Sequence, residues 1–328
     1  MKFLYPPSVD WDFMFQRPHQ LMTSFANIGH TSYFVNTKPM SEIEEIKENL
    51  FLIPQTTYYE EMDFDVLFYS YPPIGITMLN ITDPKFTIFD SVDEPTDGVF
   101  SFWNANNAYY ESLERADLVL ATADSLYERA KEYNDNVILC PNACDFSYFD
   151  TPQPQPSEIL GFTKPIILYS GAIASWVDID LIVKCAQAMP EYEFVCIGAE
   201  FNDTFPKKVP ANLHFYGHKP YNQVAGFIQS ATACIIPFKA GDPEVEACNP
   251  IKMWEYFACG KPVISTAMPE TNRKGVYWSE TEEIFMENIH RAVEKDCTAW
   301  KNYRKYIAKE NSWDMRASQI VEEIKRLS

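Results

Sequence analysis

Strand-like runs alternate with helix-like stretches along the whole chain, and this alternation limits the fold more than any other feature. Short apolar runs rich in Val, Ile, Phe and Tyr fall at residues 2–5, 31–36, 65–70, 86–90, 117–122 and 136–140. Amphipathic stretches separate them at 16–28, 74–80, 102–115 and 125–132. That order is the signature of βαβ units with a parallel sheet. It breaks at the polar, proline-rich stretch 151–156, read as a linker. It then restarts, with strands at 165–171, 193–198, 213–217, 232–238 and 261–266 and helices at 179–188, 222–229 and 250–259. Helices close the chain at 280–294 and 298–327, with a break near Asn311 and Ser312. A length of 328 residues accommodates two domains. The expected architecture is α/β, with two Rossmann-like domains facing a central cleft. The expected divisions are an N-terminal domain at 1–150, a linker at 151–156, a C-terminal domain at 157–308, and a helix at 309–328 able to pack back on the first domain. Open parallel sheets take ligands beyond the carboxyl ends of their strands.

Composition narrows the function. Residues 1–150 hold 8 Lys/Arg against 24 Asp/Glu, and the whole chain carries a net charge of −19. Such acidity argues against nucleic acid as a partner and against tight binding to anionic lipid. The basic, aromatic segment 300–309 leaves room for weak peripheral membrane contact at most. Only 11 glycines are present, so a glycine-rich phosphate loop is not expected. The 8 cysteines lack a C-x-x-C pair and mostly sit in apolar runs, as buried reduced thiols do. No His/Cys ligand cluster appears, so no metal or other cofactor is called for. With no signal-peptide pattern and no long apolar span, the expected location is cytoplasmic.

Residues 248–266, CNPIKMWEYFACGKPVIST, carry the strongest chemical signal. Asn249 suits an N-cap, Pro250 the first helical position, and Gly260 a left-handed C-terminal cap. A helix starting at Pro250 beside a strand end is an anion site, through its free N–H groups and its dipole. Lys252 in the first turn opposes that dipole, which makes sense where an anion sits. Glu255 lies on the same face and can accept two hydroxyl protons, as a ribose diol requires. An ordinary capped helix bearing a surface Lys–Glu pair has the same pattern.

The stretch NPIKMWEYFACGKPVIST resembles the donor-site helix of family 4 in the glycosyltransferase classification, whose Glu-x7-Glu motif runs into A-x-G-K/x-P-V-V. The second Glu falls on Glu255 and the first on Ala247, a departure from the pattern. Residues 170–182, 213–239, 112–130 and 136–149 extend the resemblance over nearly the whole chain. It implies the GT-B fold, a nucleoside diphosphate sugar as donor substrate, a carbohydrate or glycolipid acceptor, retention at the anomeric carbon, and a place in bacterial surface polysaccharide or glycoconjugate synthesis. On the donor side, Gly171 ends the strand at 165–171, and in the loop after it Trp176 either stacks on a sugar or base or packs into its domain, while Asp178 either binds hydroxyls or caps the next helix; the resemblance implies backbone contacts to the nucleobase at Gly217 and His218. Asn249, Pro250, Ile251 and Glu255 complete that set. Many family members neutralise the diphosphate with an Arg and a Lys near residues 170–182, where this chain has neither. Lys239, Lys252 and Arg17 are therefore the candidate cations, Arg17 having as its other reading a structural ion pair with Asp10 or Asp12 in the acidic first loop. Asp93, in the acidic stretch 89–97 with Asp90, Glu94 and Asp97, is the candidate for acceptor binding or proton removal. A second reading from another class is a non-catalytic GT-B module that binds a nucleotide sugar or a partner.

Overall fold

The structure is a computed structural model that describes residues 1–93, 95, 106–201, 204–206 and 208–328. The chain divides into two compact units, Met1–Asn142 with Trp313–Ser328, and Ala143–Ser312.

The first unit is built on an eight-stranded sheet. Its strands are β1 (Lys2–Tyr5), β2 (Thr31–Val35), β3 (Glu44–Lys47), β4 (Leu50–Ile53), β5 (Val66–Tyr69), β6 (Phe86–Ser91), β7 (Leu118–Ala121) and β8 (Val137–Leu139), in the order β3-β4-β2-β1-β5-β6-β7-β8. All pair in parallel except β3, which runs antiparallel to β4. β5, β6 and β7 are buried along their full length, as central strands covered on both faces must be. Helices α1 (Arg17–Asn27), α2 (Pro72–Ile81), α3 (Asn106–Arg115) and α4 (Asp124–Lys131) connect the strands.

The second unit contains α5 (Phe146–Asp150), β9 (Ile166–Ser170), α6 (Ile179–Ala188), β10 (Glu193–Ile197), β11 (Leu213–Phe215), α7 (Tyr221–Ser230), β12 (Ala233–Ile236), α8 (Pro243–Glu246), α9 (Ile251–Ala258), β13 (Val263–Thr266), β14 (Val276–Ser279), α10 (Glu282–Lys295) and α11 (Thr298–Glu310). Its six strands form a parallel sheet in the order β11-β10-β9-β12-β13-β14. The last helix, α12 (Trp313–Leu327), returns to the first unit and packs on α1 through a face containing Ala317, Ile320 and Ile324.

The structure adds elements that the sequence pattern hides. β4 is only four apolar residues beside the charged run 42–48, and β3 is a mostly solvated, charged edge strand of the kind that resists further pairing. β14, α5 and α8 are likewise additions. The expected boundary at residue 150 moves to 142/143. Asp145 caps α5 by accepting Tyr148 N–H at 3.0 Å, and Phe149 is fully buried in the core of the second unit. Residues 151–156 are not a free tether. Gln153 N–H donates to Gln229 on α7 at 2.8 Å, and a Cβ on Gly226 would fall 2.6 Å from Pro154 O. Of the helix expected at 102–115, residues 102–105 lie outside the described residues.

Candidate functional site

In the second unit, glycines end three adjacent strands. Gly171 follows β9, Gly198 follows β10, and Gly217 comes two residues after β11. Gly171 N–H donates to Ile197 O at 2.9 Å, and Gly198 N–H to Gly217 O at 2.8 Å. Gly171 has φ +135° and Gly198 φ +149°; a Cβ on Gly198 would fall 1.8 Å from Gly171 O. Only glycine fits there, and the result is a ledge of bare backbone at the carboxyl end of the sheet. Gly198 was not among the residues picked out by sequence.

Helix α9 starts beside this ledge. Its first residue is Ile251 and its N-cap is Pro250, so the expected cap moves by one position. Asn249 does not cap the helix. Its side chain donates to Glu270 Oε2 at 2.6 Å and accepts from Trp254 Nε1 at 3.4 Å, tying the loop before α9 to the turn after β13. Arg273 lies 4.9 Å from the Trp254 ring and 3.8 Å from Glu270, which adds a further layer to that tie. At the other side, Tyr256 Oη accepts Ser170 N–H at 2.8 Å, locking α9 to the end of β9. Glu270 and Tyr256 are positioning groups that become visible only once β9, α9 and β13 are assembled.

Lys252 points at Gly171. A Cβ there would lie 2.6 Å from Lys252 Cε and 2.8 Å from Nζ, so the ammonium fills the space a side chain would take. It lies 5.0 Å from the Tyr169 ring and 4.4 Å from the Phe238 ring. Glu255, one turn along, is 9% exposed. Neither side chain makes a hydrogen bond or ion pair among the described residues. Burial pushes the Lys252 ammonium down to about 8, opposed by Cys248 and Glu255. Burial likewise pushes the Glu255 carboxyl up to about 7, opposed by Lys252. A cation with no ion-pair partner among the described residues, partly buried at a helix N-terminus and facing bare backbone, suits a polyanionic ligand.

The remaining donor-side candidates divide. Gly217 forms part of the ledge and His218 is exposed just beyond it. Trp176 packs partly buried against the core, and its carbonyl accepts Lys239 N–H at 2.9 Å. Lys239 is exposed, one residue beyond the Phe238 ring that flanks Lys252. Of the two uses open to Asp178, binding hydroxyls or capping a helix, the structure shows the cap: it is the N-cap of α6, its Oδ1 accepting Leu181 N–H at 2.9 Å. Asp178→Ala is therefore expected to lower stability by about 1 kcal/mol, read as a shifted denaturation midpoint, while Asp178→Ser keeps most of it. Ala247 is buried at the end of α8, and the nearby Glu246 accepts Gly241 N–H at 2.9 Å.

In the first unit the structure corrects the reading of Arg17. Its Nε and Nη2 bind Asp90 at 2.8–3.0 Å, and its Nη1 donates to Asn142 at 3.2 Å. Both charged side chains are buried, Arg17 at 3% exposure and Asp90 at 0%. Ser70 donates to Asp90 at 3.2 Å, and the guanidinium lies 5.8 Å from the Trp313 ring. Arg17 is thus the partner of Asp90 and not a cation held open for an anion; Asp90 is likewise spoken for. His19 is buried and held neutral, lowered to about 4 chiefly by burial, with Nδ1 accepting Gln16 N–H at 3.2 Å and Nε2 3.0 Å from Asp10 O. Asp93 lines a small cavity with Ser70, Ser91 and Tyr109 at the carboxyl ends of β5 and β6. Glu94 and Asp97 lie outside the described residues. Among the described residues no group of three His, Cys, Asp or Glu could hold a metal ion, and no helix is long and apolar enough to cross a membrane.

Comparison with known proteins bears on the family and the fold. Residues 154–312 match the family model described as glycosyl transferases group 1. TuaH of Bacillus subtilis (strain 168), provisionally named a teichuronic acid biosynthesis glycosyltransferase, is 24% identical over 227 residues. That match covers 64% of this chain and 57% of TuaH, so the chain spans little more than half of that relative. Among solved structures, Anabaena Alr3699/HepE in complex with UDP and glucose superposes with a TM-score of 0.73 at 14% identity, covering 99% of this chain and 100% of that one. A trehalose-6-phosphate synthase superposes at 0.72 with 7% identity, covering 99% of both chains. The lipopolysaccharide outer core galactosyltransferase WaaB superposes at 0.64 with 13% identity and the same coverage. The two parallel-sheet units are those of the GT-B fold.

Proposed function

From a chain that has the GT-B fold and resembles glycosyl transferases group 1 along residues 154–312, we propose a glycosyltransferase that moves a sugar from a nucleoside diphosphate sugar to an acceptor hydroxyl. The observation that carries this reading is Lys252, a partly buried cation with no ion-pair partner among the described residues, set against the ledge at Gly171 where α9 begins. In the reaction the bond from the anomeric carbon to the diphosphate breaks, a bond to the acceptor oxygen forms, and the hydroxyl proton passes to an oxygen of the departing diphosphate. Negative charge grows on the diphosphate. Lys252 and the α9 N-terminus stabilise it, and exposed Lys239 supplies a second cation. Glu255 accepts hydrogen bonds from the ribose hydroxyls. Retention at the anomeric carbon and a role in bacterial surface polysaccharide synthesis, with a carbohydrate or glycolipid acceptor, complete the reading; the resemblance to TuaH supports the latter. No metal or organic cofactor is assigned a role.

A screen of UDP, GDP, ADP, dTDP and their sugars by thermal shift tests the donor class, because a ligand of the folded state raises the melting temperature. Slow release of nucleoside diphosphate from one donor supports turnover. Binding without release favours a non-catalytic module, a reading to which Ala247 at the first Glu position lends weight. No shift with any nucleotide rejects the proposal.

Glu255→Gln is expected to weaken nucleotide binding by about 1–3 kcal/mol while the fold survives. In the wild type, affinity should fall below pH 7 as the Glu255 carboxylate takes a proton, and again above pH 8 as Lys252 loses one. Calorimetric titrations across that range check both limbs; affinity unchanged in Glu255→Gln removes the ribose assignment.

A further inference from the structure

Lys252 has ring faces for neighbours where a partly buried lysine ordinarily has an acid. Its ammonium lies over two rings, 4.4 Å from the centroid of Phe238 and 5.0 Å from that of Tyr169. Both rings belong to the core, Tyr169 fully buried and Phe238 3% exposed. The face of an aromatic ring is negative, so it attracts a cation without neutralising it. An acid in the same place would pair with the ammonium and take up the charge that an anionic ligand needs.

The two residues are themselves fixed. Thr266 Oγ1 donates to Phe238 O at 2.7 Å. The residues on either side of Phe238 are tied to the loop after β9, Asp178 N–H donating to Pro237 O at 2.7 Å and Lys239 N–H to Trp176 O at 2.9 Å. Tyr169 is anchored through its hydroxyl, which donates to Ala172 O at 2.6 Å. That bond also holds the residue after Gly171. On the other flank the β9–β12 ladder ends at Leu168, and Ser170 N–H goes to Tyr256 Oη at 2.8 Å in place of a strand partner. Tyrosine hydroxyls therefore hold both neighbours of Gly171, while Gly171 itself leaves room for the ammonium.

We propose that Tyr169 and Phe238 are positioning residues for the donor diphosphate: their rings hold the Lys252 ammonium over Gly171 without neutralising it, and the Tyr169 hydroxyl sets the ledge beneath. The inference rests on the reading of this site as one for a nucleoside diphosphate. It makes the effect of the rings selective. Rings that act through Lys252 matter to the phosphates and not to the nucleoside. Rings that only pack the core would affect every ligand alike, with or without Lys252.

The test is calorimetric titration of the full chain with UDP, GDP, ADP and dTDP, each beside its own nucleoside. Phe238→Leu should weaken diphosphate binding by about three- to thirtyfold, the worth of one cation–ring contact, and leave the nucleoside at wild-type affinity. Phe238→Met removes the same ring with an unbranched side chain and gives a second measurement of that effect. Tyr169→Phe keeps the ring and loses the hydroxyl, so it should weaken the diphosphate by about two- to tenfold. In a Lys252→Met background, Phe238→Leu should change diphosphate affinity by less than about twofold, because the contact it removes is already gone. Nucleoside affinity that falls together with diphosphate affinity overturns the proposal, as do ring and lysine effects that add in full; either result leaves the donor site standing. Wild type that binds none of the diphosphates overturns the donor reading and this proposal with it.

Discussion

Lys252→Met is expected to cut turnover by about tenfold to a thousandfold and to leave the protein as stable as the wild type or more so. The loss follows from leaving-group charge. A diphosphate departs with more than one negative charge, and a helix N-terminus supplies only about half a positive one. Lost transition-state electrostatics of this kind typically cost a few kcal/mol. The stability half follows from burial. The Lys252 ammonium is held down at about 8, against an ordinary 10.5, because burial disfavours its charge. Between those values the unfolded chain binds more protons than the folded one, so this group's contribution makes stability rise with pH over that window. At neutral pH the charged lysine is therefore a cost to the free protein, and methionine removes it, by about 1–3 kcal/mol. A residue kept for packing would show the opposite pairing of effects. Steady-state kinetics with denaturant unfolding on the same variant checks both halves. Lys239→Ala should lower turnover too, and the double variant should lose less than the sum, because both cations act on one charge.

The second large effect lies in the first unit. Asp90→Ala should destabilise that unit by about 3–5 kcal/mol, since it strands a buried guanidinium that now has Asp90 on two nitrogens. Arg17→Met should cost less than Asp90→Ala. It leaves the carboxylate with the Ser70 hydroxyl and allows it to take up a proton, whereas a guanidinium stays charged. Nucleotide binding, assigned to the second unit, should persist in both variants wherever they remain folded. Denaturant titration followed by fluorescence gives the midpoints. Equal, small effects in the two variants would show that the pair is hydrated and not the buried clamp described here.

Much of this architecture is legible in the sequence. Punctuation made it so. Asn249, Pro250, Gly260 and Pro262 bracket one short helix and the strand after it, and the run at 151–156 separates two series of alternating elements. Elements that went unread lack such signals. β4 is four apolar residues against a charged turn, and β3 reads as a loop because its sheet-edge position leaves it polar.

The site was harder, for a reason of register. Gly171, Gly198 and Gly217 are far apart in sequence and become neighbours only when β9, β10 and β11 pair in parallel. Arg17 and Asp90 are 73 residues apart, and α1 must reach the end of β6 before the pair exists. Sequence offered Asp10 and Asp12 as nearer partners for Arg17, and local proximity misled. Asp178 shows the same limit in reverse: an acid just before a helix has a local use as a cap, and the structure gives it that use.

The central claim is that a nucleoside diphosphate is held by Lys252 and Glu255 at the start of α9. Calorimetric titration of UDP, or whichever nucleotide the thermal screen selects, into wild type, Lys252→Met and Glu255→Gln at pH 7.5 tests it most directly. The account predicts saturable one-to-one binding in the wild type, weakened at least about tenfold in each variant while both keep wild-type melting temperatures or higher. Binding of undiminished affinity in both variants would contradict it.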